Sequence, residues 1–271
     1  VSNLVSILLP AYNCDKFIAQ TIESILLQTY THFELLIIND GSTDNTIQEI
    51  EKFKDKRIQL IHNPQNMGLI ATLNKGLQIA KGKFIARIDA DDICLPTRIE
   101  KQVNFLLQHP NVAVVATQIQ FINQHNEVTG DWPLDKKTNT HQQIKKAMIW
   151  QSCIAHPTVM FNTQHIKNYT YHYSQVHSED YDLWLTLLAD GKIFEKIAEP
   201  LLLYRVHQLS ITGSIHKKNN PYFTLAKTKK QFLKNRCAIK KWGLFETKLL
   251  FVMLHDFAMG TLKQLKEKLS F

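Results

Sequence analysis

A chain of 271 residues that is 44% hydrophobic and 21% charged, with nine glycines and eight prolines, has the composition of a folded globular protein and excludes a disordered or collagen-like one. At this length folding buries about three quarters of the unfolded chain's surface, so neither disulfides nor a structural metal are needed. The net charge of +8 is unevenly spread: residues 215–271 hold 13 Lys and Arg against three acidic residues, a net of +10, and the rest nets −2.

The four cysteines (Cys14, Cys94, Cys153, Cys237) are far apart and form no CxxC pair. That argues against a zinc ribbon or a redox motif and fits a reducing compartment. The chain opens on an apolar strand with no sign of a secretory leader, and no run reaches the ~18 to 20 apolar residues of a membrane span. The longest, Leu249 to Met259, is interrupted by His255 and Asp256. The expectation is a cytoplasmic, soluble protein, attached at most to a membrane surface.

Strand-like apolar runs fall at Val5–Leu9, Leu35–Ile38, Ile58–Ile61, Phe84–Ile88 and Val112–Ala116. Between them lie helical periodicities: Phe17, Ile18, Ile22, Ile25 and Leu26; Ile47, Ile50 and Phe53; Leu69, Leu73 and Leu77. Thr97 and Glu100 read as a capping box before a further helix. Alternating strands and helices over the first ~120 residues imply a largely parallel sheet covered by helices. Right-handed crossovers put the strand C-termini on one edge, where such sheets bind ligands. From Asn123 to Thr170 the pattern is irregular, as expected for the rim of a substrate site. A helix returns at Glu179–Ala189, then Pro200–Tyr204, then a basic helical tail.

The polar motifs sit at those strand ends. The first strand runs into Pro10-Ala11-Tyr12-Asn13, the second into Asn39-Asp40-Gly41-Ser42-Thr43-Asp44. A turn followed by a helix cap accounts for Gly41 to Asp44 but not for Asp40, whose carboxylate can accept hydrogen bonds from a nucleobase or ribose. The fourth strand runs straight into Asp89-Ala90-Asp91-Asp92. Carboxylates so crowded repel one another and are tolerable where a divalent cation neutralises them. Oxygen ligands suit Mg2+ or Mn2+, and no adjacent His/Cys set supports zinc.

These blocks, together with Asn66-Met67-Gly68-Leu69 and Glu179-Asp180-Tyr181-Asp182-Leu183-Trp184, resemble the successive motifs of family 2 glycosyltransferases over about residues 4 to 210. The resemblance implies the GT-A fold, a Rossmann-like, mostly parallel α/β sheet, and inverting transfer of a sugar from a nucleotide diphosphate donor, UDP most commonly. Residues 1–214 would form that domain, with 1–120 binding the nucleotide-sugar and 121–214 the acceptor. By this similarity Pro10, Ala11, Tyr12 and Asp40 hold the nucleobase and Gly68 borders the nucleoside. Asp89-Ala90-Asp91 matches the D-x-D, with Asp91 the direct ligand of Mn2+ or Mg2+ and Asp89 facing ribose or metal. Asp180 matches the general base, Asp182 being a structural or solvated carboxylate. Tyr204-Arg205-Val206-His207 is similar to a segment that reaches back to diphosphate or metal, which gives Arg205 a phosphate-binding role and His207 a metal-binding one. His156-Pro157-Thr158 resembles a stretch near the acceptor. Leu73-Asn74 departs from the Arg-Asn of many relatives.

The resemblance also implies a glycan or lipid-linked acceptor in bacterial surface polysaccharide or lipopolysaccharide assembly. Two other readings stand beside it: a binding module without turnover, and a nucleotidyltransferase, which would want a Gly-rich phosphate loop that Pro10–Asp15 does not provide. The tail at 215–271 alternates bases with Phe232, Leu233, Trp242, Leu244, Phe245, Leu249 and Phe251. That is the pattern of an interfacial helix at an anionic membrane surface, or of a homodimer contact through Phe245, Leu249, Phe251 and Leu254. Nucleic acid is not expected as a partner.

Overall fold

The computed structural model describes residues 3–207 and 220–269. Its strands are β1 (Val5–Ala11), β2 (Phe33–Asn39), β3 (Ile58–His62), β4 (Phe84–Arg87), β5 (Ile93–Cys94), β6 (Val112–Ile122), β7 (Val128–Asp131), β8 (Met160–Asn162) and β9 (Ile193–Arg205). Its helices are α1 (Ile18–Leu26), α2 (Thr46–Glu51), α3 (Leu69–Ile79), α4 (Arg98–Gln108), α5 (His141–Met148), α6 (Thr163–Ile166), α7 (Glu179–Ala189), α8 (Pro221–Ala238) and α9 (Leu244–Leu269).

One sheet runs in the order β3-β2-β1-β4-β8-β6-β9-β5, with β7 added to β6. The β3-β2-β1-β4 block is parallel, as alternation of strand and helix requires. Beyond it the sheet is mixed: β8 lies antiparallel to both β4 and β6, and β9 runs parallel to β6. Both faces are covered, which is why the strands read as continuous apolar runs. Leu8, Leu36, Ile85 and Val114 point to a core containing Leu73 of α3 and Trp184 of α7. Their neighbours Leu9, Leu35, Phe84 and Val115 point the other way, against Ile22 of α1 and Val103 of α4. The period of two sorts one apolar run into two cores. All four cysteines are unpaired.

Three expectations change. Thr97 makes no side-chain cap on α4; Gln28 Oε1 accepts the Ile99 N–H instead (3.1 Å), and Glu100 accepts from the Thr29 hydroxyl (2.9 Å). The capping box in this chain is Thr140 with Gln143, opening α5. The stretch after Asn123 is not irregular throughout but carries β7, α5, β8 and α6, elements of three to eight residues too short to show a period.

The third change concerns the basic tail. Its expected start near residue 215, and residues 270–271, lie outside the described residues. The described part, α8 and α9, is a helical pair docked on the domain rather than a free surface helix. Phe232, Leu233 and Leu249 enter the same core as Trp184, so they are available neither to a membrane nor to a second copy. Lys229 donates to Asp256 (2.5 Å) and to the Trp150 carbonyl (2.8 Å), and Arg236 bridges Asp190 (2.6 Å) and Glu246 (2.8 Å). Among the described residues no helix is long and apolar enough to cross a membrane.

Candidate active site

Parallel register brings the ends of β1, β2 and β4 to one edge: Ala11 pairs with Asn39, and Leu8 with Arg87. The loops that follow are knitted to one another. Asn13 Oδ1 accepts from the Thr43 N–H (2.8 Å), and Cys14 N–H donates to the Thr46 hydroxyl (2.8 Å). Asp44 Oδ1 takes the N–H of Thr46 (3.0 Å) as α2 begins. Gly41 has φ +72° and packs so tightly that an added Cβ would lie 2.7 Å from the Asn66 nitrogen. Only glycine fits both requirements.

Asp40 is buried, and its oxygens are turned to the protein. It accepts from Asn63 Nδ2 (2.7 Å), Met67 N–H (2.9 Å) and Gly68 N–H (2.8 Å). These bonds fix the 63–68 loop, which folds back over Gly41 and delivers three donors to the carboxylate. Pro10 and Ala11 end β1, and the ring of Tyr12 next to them is exposed.

The crowded carboxylates between β4 and β5 each have a protein partner. Both oxygens of Asp89 face the guanidinium of Arg87, a bidentate pair. Asp91 Oδ2 lies 2.9 Å from His207 Nε2. Asp92 is buried and accepts the backbone N–H of Arg205 (2.9 Å). Repulsion is therefore relieved by one guanidinium, one imidazole and one peptide N–H. Burial still pushes Asp89 up to about 6, Arg87 opposing and Asp91 adding to the rise. Burial also raises Asp92 strongly, with Asp91 and Asp89 adding to it. The Thr21 hydroxyl holds the loop from below, within reach of the carbonyls of Ala90 (3.0 Å) and Asp92 (2.8 Å).

Asp180 stands in the first turn of α7, and its Oδ1 accepts the Tyr181 N–H (2.7 Å). Burial pushes its carboxyl up to about 7, with the charge of Glu179 adding to the rise and Arg87 opposing it. Arg87 is thus the shared counter-charge of Asp89 and Asp180. Below them, His156 Nε2 and the Tyr171 hydroxyl are 2.8 Å apart, and burial with the charge of Arg87 holds His156 well below the usual imidazole range. Asp182 is structural: it accepts from His172 Nδ1 (2.6 Å) and Gln175 Nε2 (2.9 Å). Arg87 was not among the residues singled out from the sequence. Its signal was present: an arginine inside an apolar strand two residues before an aspartate is buried only with a carboxylate partner.

Arg205, expected at the phosphates, is held on several sides by the protein. It is buried, and four of its five N–H donors are used on protein: Nε to the Asp91 carbonyl (2.7 Å), Nη1 to the Asn123 carbonyl (3.0 Å) and Asn126 Oδ1 (2.7 Å), Nη2 to Gln20 Oε1 (3.1 Å). Its guanidinium carbon sits 4.6 Å from the Phe17 ring centroid, against which His207 also packs at 5.0 Å. Arg205 is a clamp that ties the D-x-D loop to α1 and the β6–β7 turn.

Among the described residues no three His, Cys, Asp or Glu side chains gather to enclose a metal ion. Asp91 and His207 together offer one carboxylate oxygen and one imidazole nitrogen that could serve as ligands, both partly exposed. Such a pair fits Mn2+ or Mg2+, which complete their shells with water and phosphate oxygens. Asp89, turned to Arg87, is not part of that pair. Arg87 Nε, Asp92 Oδ2 and Trp184 Nε1 are buried without a partner among the described residues, and two of them border the D-x-D. Unsatisfied polar atoms gather at functional sites.

Comparison with solved structures gives the class. S. aureus TarS 1–349 in complex with UDP-GlcNAc matches with a TM-score of 0.72 over 93% of this chain and 71% of that one, at 18% identity. The chain has the GT-A fold. The model of Glycosyl transferase family 2 matches residues 6–170. An uncharacterized glycosyltransferase of Methanocaldococcus jannaschii is 33% identical over 98% of this chain and 94% of its own. The Escherichia coli UDP-Glc:alpha-D-GlcNAc-diphosphoundecaprenol beta-1,3-glucosyltransferase WfgD is 34% identical over 79% of this chain and 82% of its own. The chain belongs to glycosyl transferase family 2 and is a glycosyltransferase.

Proposed function

We propose that the protein is an inverting transferase that moves a hexose or N-acetylhexosamine from a UDP donor to a hydroxyl of a lipid-linked glycan, in surface polysaccharide or lipopolysaccharide assembly on the inner face of a membrane. The observation that carries this reading is the pairing of two acidic centres at one sheet edge. Asp91 with His207 forms one, and Asp180 beside the Arg87–Asp89 pair forms the other. The glucosyltransferase activity for which WfgD is named and the UDP-GlcNAc complex of TarS support the donor and acceptor classes.

The nucleoside lies against Tyr12 and the Gly68 loop that Asp40 holds in place. Asp91 and His207 would hold Mn2+ or Mg2+, which supplies Lewis-acid stabilisation of the leaving diphosphate. Inversion needs the acceptor hydroxyl to approach the anomeric carbon from the face opposite that diphosphate. Asp180 takes the proton from the hydroxyl as it attacks, and a carboxyl raised to about 7 is a stronger base than an ordinary aspartate. Arg87 keeps Asp89 and Asp180 in place by answering both charges.

The test is a panel of UDP-sugars and lipid diphosphate acceptors with Mn2+, with linkage and anomeric analysis of the product. An inverted glycosidic bond supports the reading; a retained configuration, or nucleotide binding with no turnover over the whole panel, rejects it.

A further inference from the structure

Helix α9 is apolar on two opposite faces, and only one of them is covered by the protein. Leu249, Val252, Asp256 and Gly260 face the domain and are buried. On the opposite side Leu244, Phe251, Leu254, Leu262 and Leu265 are 50% to 72% exposed. Successive members lie seven, three, eight and three residues apart, which keeps them on one stripe of a 3.6-residue helix. The helix has 26 residues, so the stripe runs along a rod of roughly 39 Å. Scattered apolar side chains need no explanation, but an aligned set of this length does.

The charges around the stripe say what covers it. Both acidic residues between 220 and 266, Glu246 and Asp256, are buried in ion pairs with Arg236 and Lys229. Every exposed formally charged side chain of that span is therefore a lysine. Lys248 lies three residues before Phe251 and Lys266 four after Leu262, placing both beside the stripe, and Lys240 and Lys241 precede Trp242 at its start. An apolar stripe flanked, among the described side chains, by cations matches a surface that is apolar below and anionic above.

We infer that the outer face of α9 docks on an anionic phospholipid bilayer, with Phe251, Leu254, Leu262 and Leu265 entering the headgroup boundary and the lysines meeting lipid phosphates. Its purpose, bringing the site to a lipid-borne acceptor, rests on the proposed function, but its support does not. Removing the tail cannot test it, because α8 and α9 carry Phe232, Leu233 and Leu249 of the core.

Full-length protein is sedimented with phosphatidylcholine vesicles with and without 30 mol% phosphatidylglycerol. Binding is expected only to the anionic vesicles, weakening as salt rises. The double variant Phe251→Glu/Leu262→Glu is expected to lose about tenfold or more of that binding, since two large apolar side chains no longer leave water. Lys248→Glu/Lys266→Glu, which leaves the stripe intact, is expected to lose binding too. Circular dichroism and vesicle-free release of UDP from the donor are expected to be unchanged in both, which separates failure of docking from failure of the proposed reaction. The inference is overturned if the wild-type protein ignores anionic vesicles at low salt. It is equally overturned if sedimentation velocity shows a dimer that Phe251→Glu/Leu262→Glu dissociates while vesicle binding is absent, for then a second copy covers the stripe.

Discussion

In the proposed reaction Asp180 is the residue on which the chemistry turns, and its neighbours set what it can do. Asp180→Asn keeps the shape and the Tyr181 N–H bond but removes the base. Transfer is expected to fall about 10²- to 10⁴-fold, while UDP affinity measured by calorimetry stays within about twofold. A base acts in its ionised form, so kcat/KM rises with pH until Asp180 is deprotonated. The acid limb of the profile is expected at or below about pH 7, because burial raises the carboxyl there and a bound cation pulls it down. Arg205→Ala tests the clamp. Four donors leave carbonyl and amide partners behind, so stability is expected to fall by about 2 kcal/mol or more in urea unfolding. Nucleotide binding is expected to lose its cation dependence as Asp91 and His207 lose their support. The acidic side chains of this site were legible in the sequence because carboxylates at the end of an apolar strand have no ordinary packing reason to be there. Their partners were not: His207 reaches Asp91 across 116 positions and Arg205 reaches Gln20 across 185, distances over which a linear pattern carries no geometry.

At the level of elements, two local devices hold the frame around the site. The β2–α2 turn depends on Gly41, whose left-handed φ and contact with the 65–66 backbone leave no room for a side chain. Gly41→Ala is expected to cost about 1–3 kcal/mol and to weaken UDP binding, because the displaced loop is the one Asp40 holds. The α8–α9 pair is anchored by Lys229 and Asp256, both buried. Asp256→Leu alone is expected to cost about 3–5 kcal/mol by leaving a buried ammonium, and Lys229→Met/Asp256→Leu to regain most of it. Denaturant melts of the two single variants and the double one close that cycle. Strands β1 to β4 and helix α7 could be read from apolar runs and spacing. Strand β9 could be read only from Pro200 onward: its first half carries Glu195, Lys196 and Glu199, and Lys196 is buried against Asp135 at 2.6 Å. Pro200 sits where β6 and β9 shift register, which breaks the alternation that marks a strand. The charge of the tail was legible as well, but not which aromatic faced inward, because α9 is apolar on two opposite faces.

For the whole molecule, one sheet edge gathers groups from β1, β2, β4, α7 and the end of β9, where the proposed reaction would bring a nucleotide, a cation and an acceptor hydroxyl together. In the proposed reaction the parallel block takes the nucleotide side, and the mixed half carries Asp180 and His207. Everything proposed for the reaction depends on the Asp91–His207 pair joining a cation to the donor's diphosphate. Calorimetric titration of UDP with and without Mn2+, on the wild-type protein and on Asp91→Asn, tests this most directly. UDP is expected to bind about tenfold or more tightly to the wild-type protein when Mn2+ is present, and Asp91→Asn to bind UDP equally with and without it. UDP affinity that ignores Mn2+ in the wild-type protein, or a Mn2+ effect that survives Asp91→Asn, would contradict the account.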